Sequence, residues 1–196
     1  MILFLRIAVL RSAVVHVAAR RATQERETLI SLAHTDSLTG LLNRRGFNEI
    51  LNNSLKNREA DKLLAVFVAD LDRFKPVNDQ YGHDVGDQLL VLVASRLRGA
   101  VRGADIVARF GGDEFVVMAT GLNSPLQAAD LAAKLVAAIA APFALETHLC
   151  QIGATVGYAL APKDGADAAT LLKSADAAMY LDKQRMRGSR EQVSAA

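Results

Sequence analysis

Two groups of carboxylates could do chemistry. Asp70-Leu71-Asp72 closes an apolar run, and Asp113-Glu114 directly follows Gly111-Gly112. Acidic oxygens that converge on one point repel unless a hard divalent cation neutralises them, and magnesium favours oxygen ligands together with substrate phosphates. Spacing alone favours a plainer reading, in which Asp70 caps a turn and Asp113 serves a hairpin. Lys183 and Arg187 lie four residues apart and so share a helix face, where they could grip a polyphosphate or simply be solvated. Cys150 is the single cysteine, which excludes an internal disulfide framework and a cysteine-based zinc site.

The elements that must position these residues are legible from residue 45 onward. Phe47, Ile50, Leu51 and Leu55 recur at helical spacing and predict a helix over Arg45–Arg58. Leu63–Ala69 is a continuous apolar run of strand length that stops at Asp70. A second helix is predicted over Asp84–Arg98, with Asp84 as its N-cap and Asp87 in the first turn. Ala104–Phe110 and Glu114–Thr120 read as two strands joined by Gly111-Gly112-Asp113. Ser124-Pro125 opens a third helix reaching about Ala141. Alternate apolar positions from Cys150 to Leu160 predict a half-buried strand, and a last helix follows over Asp167–Arg187.

This order contains β-α-β-β-α-β, the ferredoxin-like pattern. It predicts an α/β (α+β) fold with an antiparallel sheet, helices packed on one face, and the first and second core strands as neighbours. A carboxylate at one strand end could then face one at the adjacent hairpin tip, as in palm-type nucleotidyl transferases. The 196 residues carry 23 basic and 21 acidic side chains, a net charge of +2. So even a balance argues against binding of DNA or RNA by the chain as a whole. Apolar residues make up 51%, enough for a sizeable core and too many for a disordered chain.

Residues 1–35 read as an appended helix. The run from Ile2 to Ala19 approaches the length of a membrane span, but Arg6, Arg11 and His16 interrupt it. An arginine near the bilayer centre costs ~2.5–3.5 kcal/mol on insertion scales. Two readings stay open: a signalling helix that dimerises, and a membrane-proximal helix with Arg20-Arg21 on the cytoplasmic side. Residues 191–196 read as a flexible tail, and the expected location is cytoplasmic or at the inner face of the membrane.

Five ordered motifs carry a family resemblance. They are Asp36-Ser37-Leu38-Thr39-Gly40-Leu41-Leu42-Asn43-Arg44, Asp70 through Asp79, Gly82-His83-Asp84-Val85-Gly86-Asp87, Gly111-Gly112-Asp113-Glu114-Phe115, and Ala175-Asp176 with Met179-Tyr180 and Lys183. Together they resemble the GGDEF family of diguanylate cyclases over residues 36–187, within a domain placed at 36–190. The resemblance implies a nucleotidyl-cyclase or palm-like sheet and the condensation of two GTP into cyclic di-GMP and two pyrophosphates by a homodimer. It implies magnesium, or manganese, held by Asp70, the Leu71 carbonyl, Asp113 and Glu114. Asp113 and Glu114 would divide metal ligation and deprotonation of the 3′-hydroxyl between them. Asn78 and Asp87 would hold the guanine edge, and His83 would either hydrogen-bond the ligand or fix the loop. The Phe74 and Lys75 amides, with Lys183 and Arg187, would hold the triphosphate. Arg102 and Asp105 resemble the family's inhibitory product site.

Two departures from the family pattern stand out. Lys183 is followed by Gln-Arg-Met-Arg-Gly where the family often has K-x-x-G-R-N, and the last core strand carries Thr155-Val156-Gly157 in place of Ser-x-Gly. The alternative to a cyclase is a catalytically silent module that binds cyclic di-GMP or a protein partner. A cyclase of altered base preference is disfavoured by the acidic Asp87.

Overall fold

The structure is a computed structural model that describes residues 33–145 and 148–194, with side chains described for all of these except His148 and 187–194. Only Ala33–Thr35 of the expected N-terminal helix are included, so its dimerising or membrane-proximal character lies outside the described residues. Among the described residues, no helix is long and apolar enough to cross a membrane.

The elements are α1 (Arg44–Lys56), β1 (Leu63–Asp72), α2 (Phe74–Tyr81), α3 (His83–Ala100), β2 (Ile106–Gly111), β3 (Glu114–Leu122), α4 (Pro125–Ala140), β4 (Phe143–Leu145), β5 (His148–Cys150), β6 (Gly153–Ala161) and α5 (Ala168–Ser194). Four strands form one antiparallel sheet in the order β2-β3-β1-β6, and β4 pairs with β5 in a separate hairpin. This is the expected ferredoxin-like core of a mixed α/β chain.

Several expectations need correction. The neighbour of β1 is β3 and not β2, because the hairpin folds its second strand inward against β1. Helices cover both faces of the sheet. Leu89, Val93 and Leu97 of α3 and Leu135 and Ile139 of α4 belong to one core, while Phe47 and Leu51 of α1 and Leu171, Ala175 and Met179 of α5 belong to the other. Burial on both faces is why the central strand reads as an unbroken apolar run rather than an alternating one. A further helix, α2, precedes α3, and its Pro76 sits in the first turn, where its missing N–H costs nothing. Gly82, at φ 86°, breaks α2 from α3 and is the N-cap residue of α3, so Asp84 is not the cap but lies inside the first turn. The predicted strand from Cys150 to Leu160 divides, because Cys150 pairs with Phe143 and β6 starts only at Gly153. The last helix extends to Ser194, so residues 191–194 continue it.

One glycine sets the depth of α5 on the sheet. A Cβ at Gly157 of β6 would lie 2.1 Å from the Met179 backbone nitrogen and 2.3 Å from the Ala175 carbonyl oxygen. Both obstacles are helix backbone, which cannot step aside as a flexible side chain would. Gly157→Ala is therefore expected to lift α5 and to destabilise the fold by about 1–3 kcal/mol, the usual cost of overpacking a core. A lowered urea midpoint with an unchanged m value would show it.

Candidate active site

Strand alternation selects which face carries the acids. Leu64, Val66 and Val68 of β1 belong to the core beneath α1 and α5, so the period of two carries Asp70 and Asp72 onto that same face. On β3, Val116 and Met118 do likewise for Glu114. Register places Asp70 directly opposite Glu114 on one side and Thr155 on the other. The two helices over this face bring the cations. Lys183 of α5 pairs with Asp70 Oδ1, and Nη2 of Arg44, at the start of α1, lies 3.5 Å from Glu114 Oε2. The Thr155 hydroxyl donates to Asp72 at 3.2 and 3.3 Å.

The turn that carries Asp113 is built on glycine. Gly111 and Gly112 have φ of 139° and 51°, conformations that L side chains rarely adopt. Arg109 clamps the turn from the preceding strand. Its Nε and Nη2 donate to the Gly112 carbonyl at 3.0 and 2.8 Å, while its Nη1 donates to the two Asp36 carboxylate oxygens at 3.0 and 3.2 Å. Asp36 also accepts from the Thr39 amide and hydroxyl, at 2.9 and 2.6 Å. Burial pushes the Asp36 carboxyl up, but the hydrogen bonds from Thr39 and Arg109 outweigh it and hold the group below its ordinary value.

A cleft of about 310 Å³ gathers Asp70, Leu71, Phe74, Lys75, Asp113 and Lys183, with Asp72 and Thr155 at its wall. The amide of Leu71 donates to the Asp113 carbonyl at 3.2 Å, which ties the end of β1 to the turn. Helix α2 opens into the same cleft. Its N-cap, Arg73, is left-handed at φ 65° and makes no side-chain cap, so the first amides, Phe74 and Lys75 among them, face the cleft without helical partners.

Not all the expected residues line this cleft. Asn78 sits on α2 against Gly86: a Cβ there would meet Asn78 Oδ1 at 1.8 Å, and this buried oxygen has no hydrogen-bond partner. Asp87 and His83 are exposed on α3, and Asp87 lines a neighbouring apolar groove with Leu38 and Leu92. The Arg187 side chain lies outside those described. Arg102 and Asp105 stand apart, beyond the far end of α3, where the Asp105 carboxylate accepts the Arg102 amide at 3.0 Å and both residues line two adjoining cavities. Burial raises the Glu114 carboxyl; Arg44 opposes this, while Asp176, Asp70 and Asp113 push it further up, and the net shift is upward. Among the described residues, no three His, Cys, Asp or Glu side chains are grouped so that they could hold a metal ion.

Sequence reasoning assigned no role to Arg44, Arg109 or Asp176. Asp176 precedes Lys183 by seven residues, two helical turns, and this spacing could have placed both on one face of α5. No local signal links Arg109 to Asp36, which is 73 residues away.

Residues 33–189 match the family described as "Diguanylate cyclase, GGDEF domain". The diguanylate cyclase TpbB of Pseudomonas aeruginosa is 42% identical over 172 residues, which cover 87% of this chain and 40% of TpbB. The cyclic di-GMP phosphodiesterase NbdA of the same organism is 45% identical over 80% of this chain and 20% of its own length. The chain thus spans between about a fifth and two-fifths of these relatives. The solved GGDEF domain of TpbB superposes with a TM-score of 0.75 at 42% identity, covering 78% of this chain and 90% of that one. The coiled coil and GGDEF domain of DgcB from Caulobacter crescentus, solved with c-di-GMP, gives 0.79 at 26% identity, covering 89% and 93%.

The Asp36–Arg109 clasp makes a pH-dependent contribution to stability. Because the folded-state carboxyl is depressed, the contribution is fully present above the ordinary aspartate value of 3.8 and fades as pH falls below it. Asp36→Asn is expected to cost about 2 kcal/mol at neutral pH, the scale of hydrogen bonds to a charged group. Urea midpoints of parent and variant should converge as the solution is acidified through that range.

Proposed function

The chain belongs to the GGDEF-domain, diguanylate cyclase family, and from that premise we propose that it condenses two GTP into cyclic di-GMP and two pyrophosphates. The observation that carries the reading is the single cleft in which Asp70 and Asp113 meet the open N-terminus of α2 and the ammonium of Lys183. Two carboxylates beside a phosphate-binding helix end fit magnesium, which is usually held by one or two carboxylates plus substrate phosphates. Asp70, Asp113 and the Leu71 carbonyl would hold the ion, or manganese in its place, with Glu114 as a further ligand. When bound, the ion supplies neutralisation of charge developing at phosphorus.

The other tasks fall to the chain's own groups. The Phe74 and Lys75 amides, with Lys183 and Arg187, bind the triphosphate and hold its α-phosphorus in place. Asn78 and Asp87 accept from the guanine edge. The unpartnered Asn78 Oδ1 is an acceptor that matches the donors of guanine N1 and N2, and it meets them by swinging out from against Gly86. Asp113 and Glu114 share metal ligation and acceptance of the 3′-hydroxyl proton. One subunit presents one GTP, so ring closure needs a second subunit facing the first; positioning within that pair supplies much of the rate. Arg102 and Asp105 bind the product away from the cleft and restrain the enzyme. The neighbour DgcB, solved with c-di-GMP, supports a product-binding role.

The phosphodiesterase name of NbdA, whose aligned segment is 45% identical, favours a second reading, a catalytically silent module that binds cyclic di-GMP or a protein partner. The intact Asp70, Gly111, Gly112, Asp113 and Glu114 favour the cyclase. Incubation of the chain with GTP and magnesium should yield cyclic di-GMP by mass, and Asp113→Ala should reduce the yield at least about a hundredfold. Absence of product at high protein concentration would favour the binding module, and full product from Asp113→Ala would overturn the metal assignment.

A further inference from the structure

Helix α1 begins against its own electrostatics. Asn43 caps it conventionally, its side chain accepting the Gly46 amide at 3.0 Å, but the first helical residues are Arg44 and Arg45, and the first turn holds no acid. A helix N-terminus carries partial positive charge and favours anions, so helix stability does not account for Arg44. A residue that breaks a local rule needs its compensation elsewhere, commonly at a functional site.

The compensation is visible. The Arg44 guanidinium lies 4.3 Å above the centre of the Phe110 ring. That ring is itself fixed edge-on against Phe47, with centroids 5.4 Å apart and planes at 77°. From this platform Arg44 Nη2 reaches Glu114 Oε2. Arg44 therefore touches both strands of the hairpin, at the residue before Gly111 and at the residue after Asp113.

We propose that Arg44 is a positioning residue for Glu114. Stacked on Phe110, it holds the Glu114 carboxylate at the end of β3, opposite Asp70, and offsets the charge of Asp70, Asp113 and Asp176. Lysine cannot replace it, because an ammonium lacks the planar fork that both stacks and reaches. The pair is more than one-third exposed on both sides, so it adds little to folding stability. The inference rests on the cyclase reading above, and its failure is separable from failure of that reading.

The test uses the full chain with Arg44→Ala, Arg44→Lys, Glu114→Asp and the Arg44→Ala/Glu114→Asp double variant. If Arg44 acts through Glu114, Arg44→Ala and Arg44→Lys lower kcat about 10–100-fold, the usual loss when a supporting partner is removed. KM for GTP stays within about threefold, and the Arg44→Ala penalty shrinks in the Glu114→Asp background. In protein free of metal and nucleotide, the thermal midpoint of Arg44→Ala stays within about 3 °C of the parent. An unchanged kcat, a raised KM alone, an equal penalty in both backgrounds, or a midpoint lowered by more than about 3 °C would each overturn the proposal. A parent that makes no cyclic di-GMP would instead overturn the cyclase reading, and this role with it.

Discussion

Like charges crowded at one end of an apolar sheet are the constraint on which the rest of this structure depends. Asp70 and Glu114 are cross-strand neighbours, Asp113 joins Asp70 in the cleft, and Asp176 is close enough to raise the Glu114 carboxyl. Opposed like charges destabilise a strand pair, so the sheet alone would not choose this arrangement. The two helices over that face make it tolerable, α5 through Lys183 and α1 through Arg44. Their seating follows from packing: Phe47, Leu51, Leu171 and Ala175 are fully buried, and Gly157 lets α5 settle against β6 backbone to backbone.

A second demand is that the turn between β2 and β3 hold its shape. Two glycines with positive φ make the turn sterically accessible but leave its unfolded state with high conformational entropy. Arg109 offsets that cost with a planar fork that grips the Gly112 carbonyl on one side and the Asp36 carboxylate on the other. The loop before α1 and the turn before β3, distant in the chain, thereby share one arginine.

The motifs around Asp70, Gly82 and Gly111 were legible as marks of the family, and the apolar runs were legible as strands. Long elements such as α3 and α4 were recovered to within a few residues. Helix α2 escaped notice because eight residues containing Pro76 leave little room for an apolar period. The placing of Asp84 as a cap failed because Gly82, with a backbone conformation of its own, starts α3 sooner. Covering of both sheet faces was hidden, since nothing local states which side the helices before β1 and after β6 will choose. Arg44 escaped for a different reason. Its partners, Phe110 and Glu114, adjoin it only once β2 and β3 have folded against α1, so no window of sequence contains the contact.

The sheet divides the interior into two compartments, one on each face. Asn78 and Asp87 ride on α2 and α3, which are anchored in the core containing Phe74, Val77 and Leu89. Lys183, Arg44 and the acids opposite them belong to the other side, above Val66 and Met118. The cleft draws its walls from both, α2 from one side and Asp70 with Lys183 from the other. Repacking the core under α2 can thus shift one wall of the cleft while the wall that carries Asp70 and Lys183, rooted across the sheet, keeps its place.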